Sequence, residues 1–526
     1  MSDIAQQSIH ARVFEALPAQ TRSIRARRLA NATIALTAAA AIAGGLAGCG
    51  SNYRPTTTPI VGTGPASQPA ANAFVISRPS PTAQGIGTVI DYSGDTVSAT
   101  SPICPGPVTF TLNGGGSLAW SLNTDGTLSN IPVTTQLQSK QITYSTLAPI
   151  PTTGPFAGKD PVVALFGGSA GLYALDVNTN EVDVLTGSPD AFKLVVPVDE
   201  TPVTMVGVTG ATRIFSISQM IPYGTACNTS PSTVGVTGMA DAIETATYSN
   251  PSAHIPVGVC PVYAVGTPDT KRVFVLNRGS DSISVINSQN DTIDDCVCPS
   301  TGCVNQNGQS YTCHPSLPLT AAPGLAHAGP VYAEYNQTTG QLVVSNYDGD
   351  TISIIDVSLD QYGNDSSTFG TTFTVPVGKN PSAVTVLADG SRAYVANQSD
   401  GTVSIVSLSS HTVQKTLPVQ GHPRTVVSTQ NSLYGKVYVA SPDSPYISII
   451  RTDQDILATT VLVQGNAIDV RTSSPDTTSA NANTVSRMPG AGQPCFLPPS
   501  AFTTAGAPVS IANCNAQDPT LFTSAP

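Results

Sequence analysis

Charge is scarce in this sequence. Asp, Glu, Lys and Arg make up 10% of its 526 residues, where ordinary soluble domains carry roughly a quarter. Lys and Arg number 22 against 33 Asp and Glu, which leaves a formal net charge of −11 and a pI near 4.8. A chain this poor in cations has no basic stripe to neutralise phosphates, so no nucleic-acid partner is expected. Aromatic residues are 6%, with Trp120 the single tryptophan, and offer no obvious stacking platform for sugars. The stretch GGSAG (167–171) precedes no helical pattern and is not read as a nucleophile elbow, and neither is GTGPA (62–66). The run GGG at 114–116 leads into no helix either, so no phosphate loop is assigned. These absences leave no catalytic residue, no metal-ligand set and no cofactor to nominate.

Apolar residues make up 40% of the chain, enough for a sizeable core, and 45 Gly with 43 Pro imply many turns. Thr, Val, Ser and Ile dominate the patterned stretches, so the expected class is all-β.

The N-terminus reads as an address. RSIRARR (22–28) precedes the apolar LANATIALTAAAAIAGGLAG (29–48), and Cys49 follows. A basic region, an apolar run and small residues before a cut site describe an export signal. The run is also long enough for an uncleaved membrane helix, and Arg27–Arg28 is only a fragment of a twin-arginine signal. LAGC (46–49) resembles a bacterial lipoprotein lipobox. That resemblance implies removal of residues 1–48, lipidation of Cys49, and residence in the bacterial cell envelope with the membrane as partner. Gly50 in place of Asp points, by the same resemblance, to the outer membrane. Residues 49–73 then form a disordered Thr/Pro/Ala-rich tether; as a coil it spans about 25–30 Å.

One hairpin is written three times, as VFVLNRGSDSISVI (273–286), VVSNYDGDTISII (343–355) and AYVANQSDGTVSIV (393–406). Each is a β-rich run, an Asn, a polar turn and an alternating run. A second phrase recurs beside it: IPVGVCPVYAVG at 255, VPVGKNPSAVTV at 375 and the worn LPVQGHPRTVVS at 417. Asn277, Asn346, Asn397 and then Ser441 are separated by 69, 51 and 44 residues, the last within the range of a four-stranded propeller blade. The strand YVAN (394–397) resembles the YVTN-type β-propeller repeat, strongly over 255–470 and weakly over 74–254. The resemblance implies a propeller over 74–474, with Asn277, Asn346 and Asn397 as structural turn residues. Units begin near 74, 118, 171, 213, 272, 341, 392 and 436. A strand at 74–79 is expected to pair with the 436–470 blade and close the ring. If they share a sheet the ring has seven blades, the favoured count; otherwise it has eight. The tail 475–526 is Ser/Thr/Pro-rich.

Of the nine cysteines beyond Cys49, four lie in CVCPSTGCVNQNGQSYTC (296–313). In an exported chain Cys296, Cys298, Cys303 and Cys313 read as two disulfides stiffening a loop; zinc is the alternative, although the spacing is not standard for it. Cys227 with Cys260, and Cys495 with Cys514, are the other candidate pairs. His411 and His422 read as surface residues; His254 and His327 sit at the edges of insertions, where they could face a cleft. Asp281, Asp348, Asp350 and Asp400 read as turn residues, with a cation-binding ring of carboxylates as the alternative.

The expected function is a binding or scaffold module that meets a protein or envelope component through loop insertions (222–254 and 296–330) on one face. The rival is a propeller enzyme, lactonase-like or oxidoreductase, with an axial site built from ionisable side chains of several blades.

Overall fold

The computed structural model describes the chain from Asn72 to Thr472, apart from loop segments of which the longest are 133–142, 147–161 and 222–234, and again over Thr484–Ser486. The signal segment, Cys49, nearly all of the tether and most of the tail lie outside the described residues. Among the described residues no helix is long and apolar enough to cross a membrane.

Eight antiparallel sheets, each built on four strands, form the blades of a propeller. Seven are consecutive in sequence. Blade 2 opens at Pro107–Leu112, blade 3 at Val162–Gly167, blade 4 at Pro202–Gly207 and blade 5 at Pro261–Gly266. Blades 6, 7 and 8 open at Pro330–Asn336, Pro381–Val386 and Thr425–Ser428. Blade 1 is composite. Its outer strands are Asn72–Arg78, Gln84–Asp91 and Thr96–Pro105, and its inner strand is Asn466–Thr472. Each inner strand packs against the next, and the circuit closes on itself.

The favoured count of seven is therefore corrected to eight. Blade 8 already holds four strands, the last being Ile456–Leu462. Asn466–Thr472 finds no place there and completes the sheet of Asn72–Arg78 instead. The eight unit starts read from sequence correspond to the second strand of each blade, because the repeat signature sits on that strand.

The strand sequences follow from position. In blade 5 the first two strands, PVYAVG and RVFVLN, are buried at every residue. Both faces of a blade are covered by its neighbours, so the inner strands are almost wholly apolar or small. The fourth strands meet water: TVQKTLP of blade 7 is exposed at all but Leu417. The largest core cluster runs through blades 5 to 8, from Val262 to Ile450.

Two insertions are placed differently from the sequence reading. Thr237–Glu244 and Ser249–Val259 are the third and fourth strands of blade 4, so only the segment before Thr237 is extra. In blade 5 the fourth strand is split. Thr292–Ile293 pairs with one end of Ser282–Asn287 and Ser316–Pro318 with the other, so the sequence 294–315 is inserted between the two halves.

Candidate functional site

The repeated Asn residues build the joint between blades. Asn277, Asn346 and Asn397 are fully buried at the end of each second strand. Asn346 Nδ2 donates to Thr351 Oγ1 at 3.0 Å and Ser353 Oγ at 2.9 Å. Asn397 Nδ2 donates to Thr402 Oγ1 at 3.0 Å and Ser404 Oγ at 2.8 Å. Asn277 Nδ2 reaches Ser284 Oγ at 3.0 Å. The same serine position receives the chain arriving from the previous blade: Gly258 N–H donates to Ser284 Oγ at 3.0 Å, and Gln420 N–H to Ser448 Oγ at 3.2 Å. The Asn side chain lies over the arriving glycine. A Cβ on Gly258 would stand 2.5 Å from Asn277 Cγ, and one on Gly378 2.6 Å from Asn397 Cγ. Where the Asn becomes Ser441, the glycine becomes Gln420, whose carbonyl accepts from Ser441 Oγ at 2.5 Å.

The turn aspartates are used locally. Asp281 and Asp350 adopt left-handed backbone, at φ 47° and 50°, as the turn demands. Their carboxylates accept crossover amides, Asp281 from Gly329 at 2.8 Å and Asp350 from Asn380 at 2.9 Å. Asp400 accepts from Lys379 N–H at 2.7 Å. Asp348 takes both arms of Arg278, at 2.8 and 2.6 Å. Each acid thus serves its own joint, and the carboxylate-ring alternative has no convergent set to stand on.

At the ring axis, ionisable groups from several blades do converge. Arg471 of blade 1 pairs with Asp469 at 3.4 Å and interacts with Tyr332 of blade 6 and Tyr263 of blade 5. Asp469 also accepts from Thr109 of blade 2 at 3.1 Å and Thr425 of blade 8 at 3.0 Å. Glu334 of blade 6 is buried, and burial pushes its carboxyl up to about 8 against opposing hydrogen bonds from Val386 N–H, Thr385 and Gln430. Arg424 donates to Ile468 O at 2.7 Å and Val108 O at 3.3 Å. These residues escaped the sequence reading because they come from three separate blades, Glu334 from blade 6, Arg424 just before the inner strand of blade 8, and Asp469 with Arg471 in that of blade 1. Chemically the cluster holds two guanidinium cations, Arg471 and Arg424, one paired anion, Asp469, and one carboxyl, Glu334, whose proton is held more tightly because of its burial. Glu334 and Arg471 are each 6% exposed.

The second concentration of polar chemistry lies on the outer rim. Arg272 of blade 5, 2% exposed, meets Asp294 at 3.2 Å and Asp365 at 3.1 Å. Burial raises the Asp294 carboxyl; Arg272 opposes that rise and Asp365 adds to it. Asp365 belongs to the segment 357–371 inserted before the fourth strand of blade 6, and its other oxygen meets His314 Nδ1 at 2.8 Å. His314, from the blade 5 insertion, stacks on Phe369 at 5.1 Å. Next to it, Cys296 and Cys313 are placed as a disulfide pair with Cα atoms 5.5 Å apart. Cys260 and Cys303 each take part in a disulfide as well. Cys227, Cys298, Cys495 and Cys514 lie outside the described residues. Asp365 and His314 thus bring the two insertions into contact between blades 5 and 6.

Among the other histidines, His327 meets Asp281 at 3.1 Å and His422 meets Asp443 at 2.5 Å. His411 stacks on Phe373. His254 stands 2.7 Å from Asp199.

No family model matches the chain, and no curated protein does. Solved structures do. The dihydro-haem d1 dehydrogenase NirN superposes with a TM-score of 0.51 at 12% identity, over 77% of this chain and 76% of that one. AztD from Citrobacter koseri gives 0.48 at 13% identity, over 77% and 98%. Hydrazine synthase from Kuenenia stuttgartiensis gives 0.39 at 14%, over 64% and 94%. At these identities the likeness is one of fold, the β-propeller.

Proposed function

We propose that this chain is an exported, lipid-anchored propeller of the bacterial envelope, built on a YVTN-like repeat, that binds a protein or envelope component at the rim between blades 5 and 6. The observation that carries the reading is the Arg272–Asp365–His314 network, which locks two insertions from different blades into one platform. Loops already fixed in this way lose little ordering entropy when a partner arrives. Val304 on the blade 5 insertion is 57% exposed and Tyr362 on the blade 6 insertion is 38% exposed, so the platform offers apolar contact within a polar surround. The LAGC sequence and the cysteine-rich insertion support export.

A second reading, an axial enzyme, is favoured by the convergence of Glu334, Arg471 and Asp469. It ranks lower because these groups are buried and largely engaged with one another and with neighbouring threonines, tyrosines and backbone. The test is site-specific photo-cross-linking in the native envelope. A cross-linking residue at Val304 or Tyr362 is expected to trap one discrete adduct, and the same residue at Lys415, on the exposed edge of blade 7, is expected to trap none. Equal labelling at all three positions rejects the rim as the binding surface.

A further inference from the structure

Blade 4 departs from the joint that blades 5, 7 and 8 share. The segment Pro197-Val198-Asp199-Glu200-Thr201-Pro202 is another copy of the Pro-Val-x-x-x-Pro crossover seen at 256–261, 376–381 and 418–423. The backbone agrees: Thr201, Cys260 and Asn380, each just before the second proline, are all left-handed, at φ 56°, 54° and 51°. Register places Asp241 opposite Ser216, as Ser284 is opposite Val275, Ser404 opposite Val395 and Ser448 opposite Val439. Asp199 N–H donates to Asp241 Oδ2 at 2.7 Å, the bond that Gly258 N–H makes to Ser284. Ser218 Oγ donates to Asp199 O at 3.1 Å, as Ser441 does to Gln420.

The joint is thus conserved in shape but has gained two carboxylates. A glycine position holds Asp199 and a serine position holds Asp241. The fold does not ask for this, since glycine or glutamine and serine make the same bonds elsewhere. Both acids are buried, at 8% and 1% exposure. His254 supplies a third donor. It lies in a strand whose register slips beside it, takes φ 68°, and brings Nδ1 to 2.7 Å from Asp199 Oδ1. Asp199 Oδ2 is buried with no hydrogen-bond partner. Asp241 Oδ1 is oriented by Asn250 Nδ2 at 3.0 Å and lies 3.4 Å from His254 N–H. One donor atom from each of Asp199, Asp241 and His254 lies within 4.8 Å of the others.

The geometry points to a divalent transition-metal site made by Asp199, Asp241 and His254. Two carboxylate oxygens and an imidazole nitrogen suit zinc or a neighbouring first-row ion, whereas calcium and magnesium favour all-oxygen shells. The imidazole stands largely in solvent, so the ion would keep an open position towards water, in the manner of three-ligand zinc sites. Asn250 would act from behind by fixing Asp241.

The test uses the untagged chain and Co²⁺ or Zn²⁺ alone, read by calorimetry, by Co²⁺ absorption and by the melting temperature. One ion per chain is expected, together with a rise in melting temperature that Ca²⁺ and Mg²⁺ do not produce. Asp241→Ser and Asp199→Gly restore the residues of the neighbouring joints. Both are expected to fold, with metal-free melting temperatures no lower than the parent, and to bind the ion at least about tenfold more weakly. His254→Gln is expected to weaken binding likewise. Absence of saturable binding by the parent, or undiminished binding by folded Asp241→Ser, overturns the assignment.

Discussion

Val75, in the first described strand, lies directly opposite Val470, in the strand that ends the ring. Both are fully buried between blades 1 and 8, with Tyr438, Ile447 and Ile449. One backbone ladder therefore joins the two extremities of the propeller and removes the open faces that an unclosed array would leave wet.

Stopping the chain after Val463 removes the inner strand of blade 1. The amides of Asn72–Arg78 are then expected to exchange hydrogen far faster, while those of Arg392–Asn397 in blade 7 stay protected at first. Exchange followed by mass spectrometry distinguishes this from uniform loss of structure, which would show that the closure does not act locally.

The exchange of Asn with Gly for Ser with Gln at the blade joints gives a coupling experiment. Asn397→Ser removes the donor to Thr402 and Ser404 and is expected to cost about 1–3 kcal/mol. Gly378→Gln places a Cβ against Asn397 and is expected to cost a similar ~1–3 kcal/mol. Together they recreate the Ser441–Gln420 joint, so the double variant is expected to lose less than the sum, by roughly 0.5–3 kcal/mol. Urea denaturation of the four proteins closes the cycle.

Two buried carboxyls set a pH dependence. Glu334 is held up to about 8 by burial. Asp183, whose oxygens are buried without hydrogen-bond partners, is held up to about 7 by burial and then by Asp176 and Glu181. In each case the folded protein binds a proton that the unfolded chain releases near pH 4 to 5, so these groups lower stability as pH rises from there to their folded values. Glu334→Gln and Asp183→Asn are expected to flatten this decline and to raise stability most above pH 8, each by roughly 1–4 kcal/mol. Melting temperatures from pH 5 to 9 give the comparison; a parallel shift at every pH would contradict it.

Asp365→Asn breaks the link between the two rim insertions. It leaves Arg272 short of one buried partner, for which about 3 kcal/mol is the expected local cost. Hydrogen exchange over 308–315 is expected to rise, with the blade strands unchanged.

Much of the ring was legible because its physics repeats. Asn277, Asn346 and Asn397, their turns and the Pro-Val-x-x-x-Pro phrase mark the blades wherever the Asn tripod is intact. The copy at 197–202 is hidden because Asp199 and Ser218 replace the letters that identify it. The count of eight depended on which sheet Asn466–Thr472 joins, a long-range choice without a local signal. The Arg272–Asp365–His314 network and the axial Glu334 and Arg471 come together from separate blades, and nothing in the spacing of those residues announces it. His254 looked isolated because its partners Asp199 and Asp241 stand 55 and 13 residues away.

The claim that recognition belongs to the rim and not to the axis is tested most directly by partner cross-linking from Tyr362 in two folded variants compared with the parent. Asp365→Asn is expected to abolish or strongly reduce the adduct, and Glu334→Gln to leave it unchanged. An adduct that survives Asp365→Asn but disappears with Glu334→Gln, or a small-molecule turnover that depends on Glu334, would contradict the account.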